Sequence, residues 1–476
     1  MSDTVVSPPG RLFGTNGVRF RPGIDADLGF VLVLAECIGT YFSSGDVLVG
    51  RDGRTSGEAL SLATTSGLMS AGRSVAETGV VPTPALQFAT RALGYKGGVM
   101  VTASHNPPEY NGIKIMGSDG VEIPRLDEQR IEHIYREKSI HRADWMEVGT
   151  ARAEPSAIRL YLQGILSRVN TKLVSARKFS IVVDPGNGAQ CLAAPDLLDM
   201  LGCKVITINS ILDGRFPARG SEPTPASLKD LSAAVRASGA DLGVAYDGDG
   251  DRAIFCDETG YVYWGDQTGS LLADYLLERK PSATIVTPVS SSQVVEFVAA
   301  KHHAKVVRTR VGSVDVSRTI LERDAFFGFE ENGGCIYPAH IAVRDGGMAT
   351  ALMLECLAAR GLSFSRAVAS AFPRFFQSKT KVPVKPDDVR QVMKSVERQA
   401  AGRVEKVDGV KVWTDDKTWV LVRPSGTEPI IRIFGESDGE EKVSAALKKF
   451  SRIVKAASAS RAGSSPSSRP SCHPAS

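Results

Sequence analysis

Short apolar runs recur along the chain, each breaking off in glycine, proline or small polar residues and each followed by a stretch with helical spacing. Asp46-Val-Leu-Val-Gly-Arg-Asp-Gly53, Ile181-Val-Val-Asp-Pro-Gly-Asn-Gly188 and Thr284-Ile-Val-Thr-Pro-Val-Ser-Ser291 are three such strand-to-turn passages. A second strand follows each, at 74–81, 204–209 and 305–310. A third then runs into Thr102-Ala-Ser-His-Asn-Pro107, Asp247-Gly-Asp-Gly-Asp-Arg252 or Phe329-Glu-Glu-Asn-Gly-Gly334. Alternating strands and helices of this kind predict parallel or mixed sheets. The expected fold class is therefore α/β: three related α/β domains with mixed sheets, plus a smaller C-terminal α+β domain, around a central cleft. The expected boundaries are 11–152, 153–255, 256–372 and 373–457. An early helix is expected over 25–40, after a glycine-punctuated loop at 12–19. In the last domain strands are expected at 382–386, 410–414, 419–423 and 432–436, with helices over 387–401 and 440–457. Residues 1–10 read as a flexible arm, and the serine-rich, apolar-poor 458–476 as a disordered tail.

Composition narrows the class. A chain of 476 residues with 42% hydrophobic and 23% charged residues has the profile of an ordinary multidomain globular protein. Its net charge of +4 is small and not clustered, which argues against a nucleic-acid binder. The seven cysteines are scattered without a Cys-x-x-Cys pair, so neither a disulfide framework nor a zinc site is expected. The most apolar early run, 30–38, carries Glu36 and is too short to cross a bilayer. No signal-peptide pattern opens the sequence. A cytoplasmic location with no membrane partner is the expectation.

Four loops carry candidate chemistry. Ser104 and His105, at the carboxyl end of a strand, pair a nucleophile with a proton carrier or oxyanion stabiliser. Asp247, Asp249 and Asp251 alternate, so an extended segment points all three carboxylates one way, and a hard divalent cation would hold them together. A calcium EF-hand is a rival, because Glu258 falls at the twelfth position. It fails on Arg252 at the position that needs glycine and on strand-like flanks. Arg252 beside the third aspartate suits a phosphate, which favours magnesium. Arg423-Pro-Ser-Gly-Thr-Glu-Pro429 combines a guanidinium with Ser425, Thr427 and backbone amides around Gly426, a phosphate clamp. Glu330 and Asn332, on a glycine-hinged loop, suit vicinal sugar hydroxyls. Arg19, after the opening glycine loop, is a further phosphate ligand.

These motifs, in this order, resemble those of the α-D-phosphohexomutases, the phosphoglucomutase, phosphomannomutase and phosphoglucosamine mutase family. The resemblance covers residues 11–455. Leu12-Phe-Gly-Thr-Asn-Gly-Val-Arg19 and Glu330-Glu-Asn-Gly-Gly334 are most similar to the archaeal phosphoglucosamine mutase branch. It implies that Ser104 carries a phosphoryl group, one oxygen of which completes a Mg²⁺ shell with the three aspartates. It implies transfer through a bound hexose 1,6-bisphosphate, which also acts as activator. Lys114, from the Asn111-Gly-Ile-Lys114 match, becomes the candidate general acid/base, its pKa expected to be lowered by nearby cations. His105, Arg19 and Arg252 would assist the transfer. Three positions depart from the family pattern: Asn332 stands where the sugar loop has serine, Gly334 where it has histidine, and Phe20 where glycine often follows the arginine. The implied activity is a phosphoglucosamine mutase with possible phosphoglucomutase and phosphomannomutase activity. The alternatives are a dedicated phosphomannomutase/phosphoglucomutase, a phosphatase in which water intercepts the phosphoserine, and a phosphosugar-binding protein without catalysis.

Overall fold

The computed structural model describes residues 12–14, 16–425 and 429–459. The chain forms two units, which divide after Pro373.

The first unit holds three mixed sheets. The first is ordered Val18–Phe20, Asn111–Gly117, Gly97–Val101, Val47–Arg51, Val75–Val80, Ala151–Ala153. The second runs Ala253–Asp257, Leu242–Tyr246, Ser180–Asp184, Lys204–Thr207. The third runs Lys305–Thr309, Thr284–Pro288, Phe327–Phe329, Cys335–Tyr337, Ile341–Arg344. One pattern of four strands is common to all three. The first strand of each lies parallel to both the second and the third. The third then pairs antiparallel with a fourth. The inner strands are buried along nearly their whole length, as Val47–Arg51 and Leu242–Tyr246 are. Helices cover both faces of such strands, so they need β-branched and aliphatic residues at every position rather than at alternate ones.

The hairpin between the third and fourth strands has the same consequence in each sheet. Val101 opposite Ile113, Tyr246 opposite Ala253 and Phe329 opposite Cys335 close the loops that carry Ser104, the three aspartates and Glu330. A continuous core containing Leu48, Tyr161, Val183, Tyr246, Leu272, Phe329 and Leu352 runs through all three sheets, which fixes these loops relative to one another.

The second unit is a five-stranded antiparallel sheet ordered Phe376–Pro383, Ile430–Ser437, Trp419–Pro424, Val410–Trp413, Arg403–Glu405. Helices Val389–Gln399 and Glu440–Ala459 pack with it around Val392, Val396, Val420, Val422, Ile431, Ile433 and Val454. This is the expected α+β part. Among the described residues no helix is long and apolar enough to cross a membrane.

Several sequence expectations need correcting. Val18 and Arg19, placed in the opening loop, begin the strand Val18–Phe20, and Asn111–Gly117, Ala151–Ala153 and Arg403–Glu405 are strands the hydrophobic pattern did not mark. The first helix is Leu28–Phe42 rather than 25–40, because Asp27 caps it by accepting from the Phe30 N–H at 2.8 Å. The strand expected at 382–386 is Phe376–Pro383; its exposed Ser378, Lys379 and Lys381 hide it from an apolar search. The closing helix runs two residues past 457, to Ala459. The arm at 1–10 and the tail from 460 lie outside the described residues.

Candidate active site

The loop that closes the first hairpin puts Ser104 in a left-handed backbone conformation, φ 51°, which a residue with a Cβ adopts only under restraint. Its own N–H donates to Thr102 Oγ1 at 2.8 Å. The stronger restraint is Arg54, which the sequence reading did not single out. The buried Arg54 guanidinium donates to the carbonyl oxygens of Ser104, Asn106 and Pro107 at 2.7 Å and of Tyr110 at 2.8 Å. Asp52, in turn, accepts from Arg54 Nε at 3.1 Å and from Thr102 Oγ1 at 2.6 Å. From the second sheet's domain, Ser221 Oγ donates to the carbonyls of His105 and Asn106 at 2.8 and 2.7 Å. Four successive carbonyls, 104 to 107, are thus engaged by Arg54 and Ser221.

Ser104 Oγ donates to Asp247 Oδ2 at 2.8 Å. This contact joins the first hairpin loop to the second. The loops approach so closely that a Cβ on Gly248 would lie 2.6 Å from the Ser104 carbonyl oxygen. Asp247, Asp249 and Asp251 are all buried, and one oxygen from each lies within 4.8 Å of the others. Asp249 Oδ1 and Asp251 Oδ1 are buried without a hydrogen-bond partner among the described residues. Buried carboxylate oxygens left in that state are costly. Three hard oxygen donors with two free acceptor atoms fit a small divalent cation. The flanks of this loop are strands, and Glu258 instead accepts from the Ser365 N–H at 3.1 Å, so the EF-hand rival fails in the structure too.

Four cations surround the aspartates. Lys114 Nζ donates to Asp249 Oδ2 at 2.6 Å and to Asp251 Oδ2 at 3.2 Å. Thr83 Oγ1 adds a bond to Asp249 Oδ2 at 2.6 Å. Arg252 donates its N–H to Asp247 Oδ1 at 3.1 Å, and its guanidinium lies 3.8 Å from Asp247 and Asp251. Arg19 donates to the Asn106 side-chain oxygen. Arg344, also absent from the sequence-level set, donates to Asp251 Oδ2.

The charges act on one another. Burial pushes the Asp247 carboxyl up to about 8, and Asp251 and Asp249 add to that push. Burial also opposes ionisation of Asp249, but Lys114 outweighs it and holds this carboxyl below its usual range. The expected lowering of Lys114 is overturned: burial does lower it, but Asp249 and Asp251 more than compensate, and its pKa is raised. Its nearest neighbours are acids, not the cations the sequence suggested. Burial, Arg252 and Arg19 keep His105 well below its usual range, hence neutral. Its Nδ1 lies 2.9 Å from Arg252 Nη2 and 3.4 Å from Ser104 Oγ. Since a guanidinium only donates, Nδ1 accepts and the proton sits on Nε2. Arg19 is lowered to about 10, chiefly by burial and then by Arg252.

In the third loop Glu330 is buried, its carboxyl raised chiefly by burial. Glu330 Oε2 accepts from Asn332 Nδ2 at 3.1 Å and from Arg344 Nη1 at 3.3 Å. Asn332 Oδ1 accepts from the Gly334 N–H at 3.1 Å, so Asn332 shapes the loop as well as facing it. The Phe20 departure is a packing choice: its buried ring stands edge-on to Phe30 with centroids 5.7 Å apart. In the second unit, Arg423 Nε donates to Asp408 Oδ2 at 2.6 Å and the Ser425 N–H to the Ile430 carbonyl at 2.9 Å. Gly426 and Thr427 lie outside the described residues.

Comparison with known proteins places the chain in a family. Models of the phosphoglucomutase/phosphomannomutase family match in order: α/β/α domain I at residues 10–141, domain II at 159–260, domain III at 264–375 and the C-terminal domain at 379–452. A phosphoglucosamine/phosphogalactosamine mutase of Sulfurisphaera tokodaii is 42% identical, over 94% of this chain and 99% of that protein. A phosphoglucomutase/phosphomannomutase of Thermococcus kodakarensis is 43% identical, over 91% and 96%. The crystal structure of a phosphoglucomutase/phosphomannomutase family protein from Burkholderia thailandensis superposes with a TM-score of 0.84 at 26% identity, over 94% of this chain and 97% of that one. With all four domain models matched and close relatives aligned almost end to end, the chain belongs to the α-D-phosphohexomutase family, in its archaeal phosphoglucosamine mutase branch.

Proposed function

We propose that this protein is a Mg²⁺-dependent phosphohexomutase that moves phosphate between the 1- and 6-hydroxyls of a hexose, with glucosamine phosphate as first substrate and glucose and mannose phosphates as further ones. The observation that carries the reading is the buried bond from Ser104 Oγ to Asp247, at the head of a three-aspartate cluster ringed by Lys114, Arg252 and Arg344. A binding protein needs no such buried hydroxyl, and the names of the relatives point the same way.

Asp247, Asp249 and Asp251 would hold the cation together with an oxygen of the phosphorylated Ser104. When bound, the cation neutralises charge on the transferring phosphoryl group. The other steps belong to the protein's own residues. A sugar hydroxyl oxygen forms a bond to phosphorus as the bond from phosphorus to Ser104 Oγ breaks, leaving a hexose 1,6-bisphosphate and the Ser104 hydroxyl. Arg252 and Arg19 hold the equatorial oxygens, since phosphoryl transfer depends on alignment and charge more than on covalent help. Proton number is conserved: the proton leaving the sugar hydroxyl equals the one gained by Ser104 Oγ. Lys114, charged beside two carboxylates, gives its proton to the departing Oγ and takes up the other. Neutral His105 donates from Nε2 and keeps Arg252 in place through Nδ1. After the bisphosphate turns over, the other phosphate returns to Ser104. Glu330 and Asn332 read the sugar hydroxyls. Arg423 and Ser425, with Gly426 and Thr427, are assigned to the distal phosphate. Added hexose 1,6-bisphosphate would activate by rephosphorylating Ser104, and a cytoplasmic site suits phosphorylated sugars.

A coupled assay with Mg²⁺ and a trace of hexose 1,6-bisphosphate tests this reading. Glucosamine 6-phosphate, glucose 1-phosphate and mannose 1-phosphate should be isomerised without release of inorganic phosphate. Ser104→Ala should lower kcat at least about a thousandfold while phosphosugar binding persists. Stoichiometric phosphate release would instead indicate a phosphatase. Binding without any turnover in the wild type would indicate a phosphosugar-binding protein.

A further inference from the structure

Arg344 ends the last strand of the third sheet, Ile341–Arg344, and its buried guanidinium spans two loops. Nη1 donates to Glu330 Oε2 on the hydroxyl-reading loop at 3.3 Å, and Nη2 to Asp251 Oδ2 on the metal loop. Burial opposes its charge, but Asp251 and Glu330 overcome that and raise its pKa. The stem is equally constrained. A Cβ on Gly334 would lie 2.5 Å from Arg344 Cδ and 2.9 Å from Cγ. Those atoms are in mid-stem with the head fixed on two carboxylates, so they cannot swing aside. Gly334 is not in the left-handed region, so its backbone does not demand glycine. The space taken by Arg344 does.

Atoms next to this bridge lack partners. Glu330 Oε1 and Arg344 Nε are buried and unsatisfied among the described residues, as is Asp251 Oδ1 on the metal side. One guanidinium therefore joins two carboxylates, Glu330 and Asp251, each of which keeps its other oxygen buried and unsatisfied among the described residues.

We propose that Arg344 is a positioning residue that couples hexose-phosphate binding to divalent-cation binding, and that Gly334 is glycine in order to admit it. The inference rests on the phosphohexomutase reading above. Sugar hydroxyls that engage Glu330 alter the pull of Arg344 on Asp251, and a cation on Asp251 alters its pull on Glu330. Such coupling is reciprocal.

Calorimetric titration of glucose 1-phosphate into the Ser104→Ala protein, where no transfer occurs, reads the coupling directly. Mg²⁺ should change the sugar-phosphate Kd about tenfold, and this dependence should fall below about twofold when Arg344→Met is added. Steady-state kinetics supply the second readout. Gly334→Ala should lower kcat/KM about tenfold in the wild-type background but less than about threefold in the Arg344→Met background, because neighbours acting through one group are non-additive. Mg²⁺ dependence undiminished by Arg344→Met, or additive effects of the two substitutions, would overturn the proposal. Should Arg344→Met fail to fold, Gly334→Ala carries the titration alone: it retains both charges and should still diminish the coupling, and an undiminished value would overturn the proposal equally. A wild type without mutase turnover would defeat the functional reading, whereas normal turnover with unaltered coupling defeats only this inference.

Discussion

At the scale of single residues, the site separates groups that a motif exposes from groups that only a structure exposes. Ser104 and the alternating aspartates are legible because their chemistry requires a local pattern: a hydroxyl at a strand end, and carboxylates at every second position. Arg54 has no such pattern. Its partners are backbone carbonyls about fifty residues away, and a carbonyl has no residue type. The raised pKa of Lys114 was hidden for the same reason, since its acidic neighbours lie 135 and 137 positions on. Arg54 should matter through geometry. Arg54→Lys retains the charge but not the fork that serves four carbonyls, and each buried acceptor left unserved costs about 1–3 kcal/mol. We expect kcat to drop about 10- to 100-fold with KM for hexose phosphate moving less than about threefold, because Glu330 and Asn332 are untouched. A large rise in KM with kcat intact would show that Arg54 acts on the sugar and not on the Ser104 loop.

At the scale of elements, hydrophobic pattern revealed the buried parallel strands and missed the short or half-exposed ones. Leu242–Tyr246 is an unbroken apolar run and Ser180–Asp184 holds Ile-Val-Val at its centre, whereas Val18–Phe20 and Arg403–Glu405 are three residues long. Such edge strands are defined by a neighbour's ladder rather than by their own composition. Helix starts were displaced where a cap decided them. Asp27 supplies one orphan N–H of Leu28–Phe42, that of Phe30, with its acceptor. Asp27→Ala should cost about 1 kcal/mol, read as a lower urea midpoint of unfolding. Mutase kcat/KM should be unchanged, since the cap bond of Asp27 runs to the Phe30 N–H and to none of the candidate catalytic groups.

At the scale of the whole molecule, three copies of one four-strand arrangement place Ser104, the three aspartates and Glu330 at equivalent hairpins. That much was visible in the recurring strand-and-loop pattern. The shared core that fixes the loops together was not, because its residues are ordinary apolar ones spread from Leu48 to Val368. The cysteines illustrate the global environment. Burial pushes the thiols of Cys37, Cys191, Cys203, Cys256 and Cys356 up to about 12, and Cys335 well above its usual range. Only the thiolate attacks a disulfide reagent. At pH 8 these six should stay unmodified for hours in the native protein and react at once in guanidinium, which mass spectrometry of tryptic peptides would resolve.

The bond from Ser104 to Asp247 exists only while the serine is a free hydroxyl. Once the oxygen is esterified it has no proton to give, and in the phosphorylated form proposed above a phosphate then faces the three-aspartate cluster in a buried space. Their repulsion is relieved by a positive ion between them, so the loaded and unloaded forms differ in their appetite for cations. In the unloaded form the Ser104 hydroxyl occupies Asp247 Oδ2, which leaves that carboxylate oxygen no need of a cation. In the mechanism proposed above, a bisphosphate lost before it turned over would strand the protein in that unphosphorylated state, and the bisphosphate in solution would set how soon it returns to work.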